Sequence, residues 1–317
     1  MSVPGARVSI IMRTKDRLPL LRRALDDVAA QTFDDWHLCL INDGGDPAPV
    51  DHLVAACPGI SGRVTVIHQA TSLGMEAASN AGLAASDSEF VCLHDDDDTW
   101  APDFLSATVA YLTERPGDMG VVTRTTLVLE RLEGDVIIET GREPFEGQLT
   151  AITLTELLRV NRFVPIALLY RRAVHDTLGP FRSHLPVVGD WDFHLRLAAA
   201  FPVGLLDAPL AFWHRRPAAS GAASNSVDDG ELHRTYDLLV RDGYLREHVA
   251  DAGLGGVLYL TRFLADEFEG LHRRLDDLQR RVDAAESATR ETGLIALARR
   301  KYYRVRHRVL TSLGREP

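Results

Sequence analysis

The amino-acid sequence predicts an α/β protein: a mostly parallel sheet flanked by helices, followed by a helical C-terminal extension. Three observations carry that expectation. Over the first hundred residues, short apolar runs alternate with segments of helical periodicity. The short runs are apolar nearly throughout rather than at every second residue, as strands covered on both faces must be. From about Val257 onward the chain reads as long helix.

Val8–Met12 (VSIIM) is the first strand, and Leu18–Ala30 carries apolar residues at helical spacing. His37–Ile41, Val64–His68 and Phe90–His94 are the next strands, with an alanine-rich helix over Gly74–Ala85 before the last. Ala101–Arg115 reads as a helix with Pro102 in its first turn, where no N–H is needed. Gly120–Leu129 and Val136–Thr140 read as a hairpin around Glu133-Gly134-Asp135, Ala167–Arg171 as a strand and Asp190–Phe201 as a helix. Pro217–Asn225 is built of small residues and reads as a mobile loop that closes over a ligand, or as a plain linker. Phe268, Leu271, Leu275, Leu278, Val282 and Ala285 alternate steps of three and four, a coiled-coil seam of under three heptads. There is no internal repeat. The expected division is an α/β domain over residues 1–225 and a helical extension over 226–317.

Composition narrows the function. A chain of 317 residues is long enough for one large α/β domain with an appendage, or for two modest domains. The net charge of -10 argues against a nucleic-acid partner. No apolar run reaches the ~18–20 residues that span a bilayer, and the N-terminus lacks a signal-peptide core, so the expected location is the cytoplasm. Cys39, Cys57 and Cys92 fit no metal spacing, and Cys39 and Cys92 fall in strands as small core residues. Arg299, Arg300, Lys301, Arg304, Arg306 and Arg308 crowd into a basic tail interleaved with Tyr302, Tyr303, Val305 and Val309. That tail has the ingredients of an interfacial helix at the inner face of the cell membrane, or of a helix packed on a partner subunit. The seam suggests a homo-oligomer.

Ligands of parallel sheets bind beyond the carboxyl ends of the strands. Those ends read Arg13-Thr14-Lys15-Asp16, Asn42-Asp43-Gly44-Gly45 and Asp95–Asp98. The second of these also reads as a simple turn. Four consecutive aspartates repel one another, and a hard divalent cation with oxygen ligands is their natural compensation.

VSIIMRTKDR, QTFDDWHLCLINDGGD, GMEAASNAGLAASDSEFVCLHDDDDTW and GPFRSHLPVVGDWDFHLRLA together resemble, in order, the inverting family 2 glycosyltransferases with the GT-A fold. The likeness covers roughly residues 8–216 and implies a GT-A type, Rossmann-like sheet. It also implies transfer of a sugar from a nucleotide-sugar donor, a UDP-sugar foremost, to a saccharide or lipid-linked acceptor. Bacterial surface polysaccharide or glycoconjugate synthesis is the implied setting. Asp95-Asp96-Asp97 aligns on the aspartate-any-aspartate motif, which holds Mn²⁺ or Mg²⁺ on the donor's diphosphate. Asp97 is then the metal ligand, with Asp95 sharing the ion or meeting the ribose. Thr14, Asp16, Asp43, Asp95 and Asp96 form the implied nucleotide-binding set. Asp190 matches the general base, although aspartate is also a good helix N-cap. His214 occupies a position where some relatives place a metal-side histidine, and packing beside Trp213 accounts for it equally. Arg215 and Arg216 either steady the diphosphate or form a solvated basic pair.

Three residues depart from the family pattern. Arg13 replaces the usual proline, Ser79 an arginine near the nucleotide, and Gly189 the glutamate before the base. The last leaves Asp190 without a neighbouring carboxylate in the sequence.

Competing readings are weaker. Asp95-x-Asp97-x-Thr99 satisfies a DxDxT phosphatase pattern, but that chemistry needs a downstream lysine and Lys301 in the tail is the only one. A non-catalytic nucleotide-sugar-binding protein would have little need of Asp95, Asp97, Asp190 and His214 together. A processive membrane synthase would need spanning helices and a QxxRW sequence, both missing.

Overall fold

A computed structural model describes residues 3–134, 136–217 and 230–312. Residues 218–225 of the expected loop and Asp135 at the expected hairpin tip lie outside the described residues. The chain forms two compact units, Met1–Arg241 and Asp242–Pro317.

The first unit opens with β1 (Val3–Pro4), which pairs in parallel with β5 (Ser86–Asp87). Its main sheet begins with β2 (Val8–Thr14), α1 (Leu18–Ala29) and β3 (Trp36–Asp43). Then come α2 (Pro47–Ala55), β4 (Val64–Gln69), α3 (Met75–Ala85) and β6 (Phe90–Asp95). Strands β4, β3, β2 and β6 lie side by side and all parallel. Every residue of β2 and β3 is buried, which is why these runs are apolar rather than alternating. α1 buries Leu20, Leu21, Ala24, Leu25 and Val28, one stripe of its surface. α3 lies hard against β2, since a Cβ at Gly82 would come within 2.5 Å of the Ile11 side chain. That close approach holds the start of α3 at the carboxyl edge of the sheet.

Beyond β6 the sheet turns mixed. It continues through β7 (Thr99–Trp100), α4 (Phe104–Glu114), β8 (Gly120–Glu133) and β9 (Val136–Phe145). α5 (Leu154–Arg159), β10 (Leu168–Arg171), α6 (Val174–Leu178), α7 (Gly189–Ala200) and β11 (Val203–Arg215) follow. β10 runs antiparallel between β6 and β8, β11 runs parallel to β8, and β9 pairs antiparallel with β8 as the predicted hairpin. α4 starts at Phe104, so Pro102 precedes the helix and its carbonyl accepts from Thr32 N at 2.8 Å. β11 and α2 had no clear sequence signal. β11 is only partly buried and shifts register around Pro209, so neither a continuous apolar run nor clean alternation marks it.

The first unit also takes the start of α8 (Gly230–Ala252). There Arg241 lies over the Trp191 ring at 4.6 Å and donates to the Leu158 and Arg159 carbonyls. The second unit is dominated by α9 (Gly255–Ser312), in which Phe268, Leu271, Leu275, Leu278 and Val282 are exposed. Cys39, Cys57 and Cys92 are free and buried. Among the described residues no helix is long and apolar enough to cross a membrane.

Candidate active site

The acidic run leaves the sheet at the end of β6, and each carboxylate meets a different environment. Asp95 pairs with Arg13 from the end of β2. Burial alone would raise its pKa, but that guanidinium holds it below the usual carboxylate range. Asp96 is fully buried, with Arg17 at 2.5 Å, and burial plus Asp97 and Asp95 push it up to about 6. Asp97 meets Arg17 at 3.2 Å and pairs with Arg216. Asp98 accepts the His214 backbone N–H at 2.9 Å, and burial beside Asp97 and Asp95 raises it well above its ordinary value.

Behind this run lies Glu130 on β8, 4% exposed. Its carboxylate accepts from Arg23 at 2.7 Å, Arg216 at 2.6 Å and His214 Nδ1 at 2.8 Å. Against burial, His214 and Arg23 hold it down at about 2. His214 places its other ring nitrogen 2.8 Å from Thr99 Oγ1. The structure therefore brings Asp95 and Asp97 to one wall but turns His214 toward Glu130 and Thr99. Among the described residues no three of His, Cys, Asp and Glu converge as a ligand set.

A second acidic wall belongs to α7. Asp190, the second residue of that helix, accepts from Asn161 Nδ2 at 2.8 Å, and Asn161 Oδ1 meets His194 Nδ1 at 3.0 Å. Burial raises Asp190, opposed by the Trp191 backbone N–H, Arg13 and Asn161. Burial drives His194 down to about 3, so it stays neutral beside Asn161. Val188, which leads into α7, has φ 57°, a left-handed conformation costly for a β-branched residue.

Two departures from the family pattern are answered in space. Arg13 Nη1 donates to Ser79 Oγ at 3.2 Å, so a guanidinium from β2 occupies the surroundings of that serine. A Cβ at Gly189 would lie 2.5 Å from Glu76 Oε1, so a carboxyl from α3 fills the space beside Asp190.

Asp95, Asp97, Asp98, Asp190 and Glu76 open into one cavity of about 950 Å³, also lined by Arg13, Lys15 and Arg17 and closed by Phe145, Trp191 and Trp213. Of the remaining expected nucleotide residues, Thr14 is buried at the end of β2. Asp16 has φ 54° and accepts from Asp46 N at 3.4 Å. Asp43 accepts from Ser72 Oγ and Leu73 N at 2.7 Å and from Gly74 N at 3.1 Å, which ties the loop before α3 to the end of β3. Gly44, with φ 80°, could take no side chain there, since its Cβ would come 2.3 Å from Ser72 N. Sequence reading missed Glu76, Asn161, Arg17 and Glu130. Arg17 alone carried a signal, as the basic residue next to Asp16.

The fold and cavity define an α/β protein with a candidate site on the carboxyl edge of a parallel half-sheet. The chain belongs to glycosyl transferase family 2, whose model matches residues 9–179. It is 30% identical over 239 residues to a PGL/p-HBAD biosynthesis glycosyltransferase of Mycobacterium tuberculosis, covering 74% of this chain and 86% of that one. S. aureus TarS 1–349 in complex with UDP-GlcNAc shares the fold, with TM-score 0.57 and 17% identity over 79% of this chain and 74% of that one. So does the mannosyltransferase PcManGT from Pyrobaculum calidifontis in complex with GDP-Man and Mn²⁺, with TM-score 0.50 and 16% identity over 82% and 80%. The protein is therefore a glycosyltransferase with the GT-A fold, and the phosphatase reading is set aside.

Proposed function

We propose that this protein moves a sugar from a nucleotide-sugar donor, a UDP-sugar foremost, to a hydroxyl of a saccharide or lipid-linked acceptor, inverting the anomeric centre. The setting would be bacterial surface polysaccharide or glycoconjugate synthesis. The observation that carries this reading is that Asp95, Asp97 and Asp190 open into the same cavity.

Asp190 takes the proton of the attacking hydroxyl, and its burial makes it a better base than an exposed aspartate. The hydroxyl oxygen bonds to the anomeric carbon as the bond to the diphosphate oxygen breaks. Arg13, Lys15 and Arg17 line the same cavity and stabilise the charge that develops on the departing nucleoside diphosphate. Thr14, Asp16, Asp43, Asp95 and Asp96 serve the nucleotide, Asp43 by shaping the loop before α3.

The donor set at the end of β6 fits a divalent cation. It is all oxygen and hard, and burial, with Asp97 and Asp95 close by, raises Asp98 well above its ordinary value. Asp97 and Asp95 would hold Mn²⁺ or Mg²⁺, and His214 would join by exchanging its bond to Glu130. The ion would supply further charge stabilisation to the diphosphate. The protein would work in the cytoplasm, with the basic tail at the inner membrane face and the α9 seam in a homo-oligomer.

A panel of UDP- and GDP-sugars, read by nucleotide release with and without Mn²⁺, tests the proposal. Donor-dependent release that needs the ion and a product of inverted configuration by NMR are expected. Full turnover in excess EDTA would remove the metal, and a retained configuration would remove the single-displacement mechanism.

A further inference from the structure

Glu76 is the second residue of α3 and only 3% exposed, yet its Oε2 has no hydrogen-bond partner. Folds seldom leave a buried carboxyl oxygen unpaired, because desolvation is uncompensated there unless a ligand supplies the partner. The side chain lines the cavity together with Asp190. It lies across the backbone of Gly189, the residue before Asp190, where a Cβ would meet Oε1 at 2.5 Å and Cδ at 2.6 Å. Only glycine at 189 leaves room for this carboxyl.

We propose that Glu76 is an acceptor-recognition residue, whose carboxyl hydrogen-bonds a sugar hydroxyl adjacent to the one that Asp190 deprotonates. The proposal rests on Asp190 being the base. It assigns the acceptor to polyhydroxylated ligands, with one hydroxyl for each of two neighbouring carboxyl groups.

The charges around the pair divide their roles. Arg13 on β2, Asp95 on β6, and Asp190 and Asp192 on α7 face Glu76. Burial pushes Glu76 up to about 7; Arg13 opposes this and the three aspartates add to it. Asp190 has the Asn161 amide and the Trp191 N–H to hold its charge. Below about pH 7 Glu76 therefore keeps its proton, while the Trp191 N–H, Arg13 and the Asn161 amide oppose the upward push of burial on Asp190. A protonated carboxyl donates as well as accepts, which suits a hydroxyl.

The test uses the full chain with Mn²⁺, the donor found in the panel, and octyl glycosides as acceptors alongside their monodeoxy analogues. Glu76→Ala should raise the acceptor KM at least ~10-fold, the scale of one lost hydrogen bond, while the donor KM moves less than about twofold. It should also erase the preference for the native glycoside over the deoxy analogue at the recognised position. Glu76→Gln, of the same shape and still a donor, should restore the KM to within about threefold at pH 6. The native acceptor KM should climb above pH 7 as Glu76 ionises, and that of Glu76→Gln should stay flat. Gly189→Ala, which displaces the carboxyl, should raise the acceptor KM but add nothing to Glu76→Ala. An acceptor KM within twofold of native in both Ala variants, or a donor KM that rises in parallel, overturns the proposal. Asp190→Asn transferring at the native rate while Glu76→Ala still weakens the acceptor would instead remove the base assignment alone.

Discussion

The cavity is bounded by two groups of carboxylates that hold their charge in opposite ways. At the end of β6 the aspartates sit among guanidinium groups: Arg13 on Asp95, Arg17 on Asp96 and Asp97, Arg216 on Asp97. At the start of α7, Asp190 is held by an amide and a backbone N–H, with Arg13 also opposing the effect of burial. Charge-balanced carboxylates suit a wall that meets a diphosphate and its cation. A desolvated carboxylate with few cations around it suits proton transfer, because its pKa rises toward the working pH. In the proposed mechanism one residue type serves two tasks within about 950 Å³, and the difference lies in its neighbours.

The sharpest way to break this contrast is at Asp190. Asp190→Asn keeps the shape and the Asn161 contact but cannot take a proton. Transfer should fall ~10²–10⁴-fold while nucleoside-diphosphate binding, measured by calorimetry, persists. Native-rate transfer by this variant would make the two walls chemically equivalent.

On the other wall, Asp97→Ala should cost at least ~10²-fold in rate, because charge stabilisation at the diphosphate is worth several kcal/mol. Here the donor should bind more weakly as well. A loss confined to kcat with unchanged donor binding would contradict the division of labour.

Glu130 tests how the guanidinium groups are held. Glu130→Gln leaves Arg216 and Arg23 with reduced compensation in a buried site and should destabilise the fold by about 3–5 kcal/mol in denaturant titration. Glu130 is depressed to about 2, so it stabilises the native state above its unfolded pKa near 4.5. That contribution is lost as pH falls from 4.5 toward 2, and the variant should lack this loss. Identical acid-unfolding curves would show that Glu130 carries no net stabilisation.

Glu76 has the opposite sign. Its raised pKa means the native state favours the proton, so native stability declines as pH rises from about 4.5 to about 7. Glu76→Gln should melt above the native protein at pH 8 and with it at pH 5, by calorimetry.

The smallest effect belongs to the second unit. Arg262 on α9 is 79% exposed and pairs with Asp266 one turn on. Arg262→Ala should change stability by less than about 0.5 kcal/mol.

The sequence was most legible where one element decides everything. β2, β3 and β6 are continuous apolar runs because both faces are covered, and that is visible in VSIIM or LCLI without knowing the partners. The aspartates at the end of β6 were equally legible, since their position follows from the strand they terminate. Asn161 and Glu130 were not. Asn161 lies outside any helix or strand and reaches Asp190 across 29 residues. Glu130 lies on a half-buried strand among alternating neighbours, where a glutamate reads as a solvent-facing position.

By itself, then, the sequence determined the alternation of strands and helices, the edge of the sheet where the candidate site lies, and the carboxylates that end β6 and open α7. Tertiary structure decided which charges meet. His214 faces Glu130 because β11 pairs with β8 in a register that sets His214 against Val128. Arg13 reaches Ser79, and Glu76 crosses Gly189, because α3 packs on β2 through Gly82 and its first turn meets the start of α7. Such pairings join residues 66 to 113 positions apart (79 − 13 and 189 − 76) and depend on strand register and on helix placement to within an ångström. Neither quantity leaves a local trace in the chain, because each is set by the collective packing of the sheet rather than by any one segment.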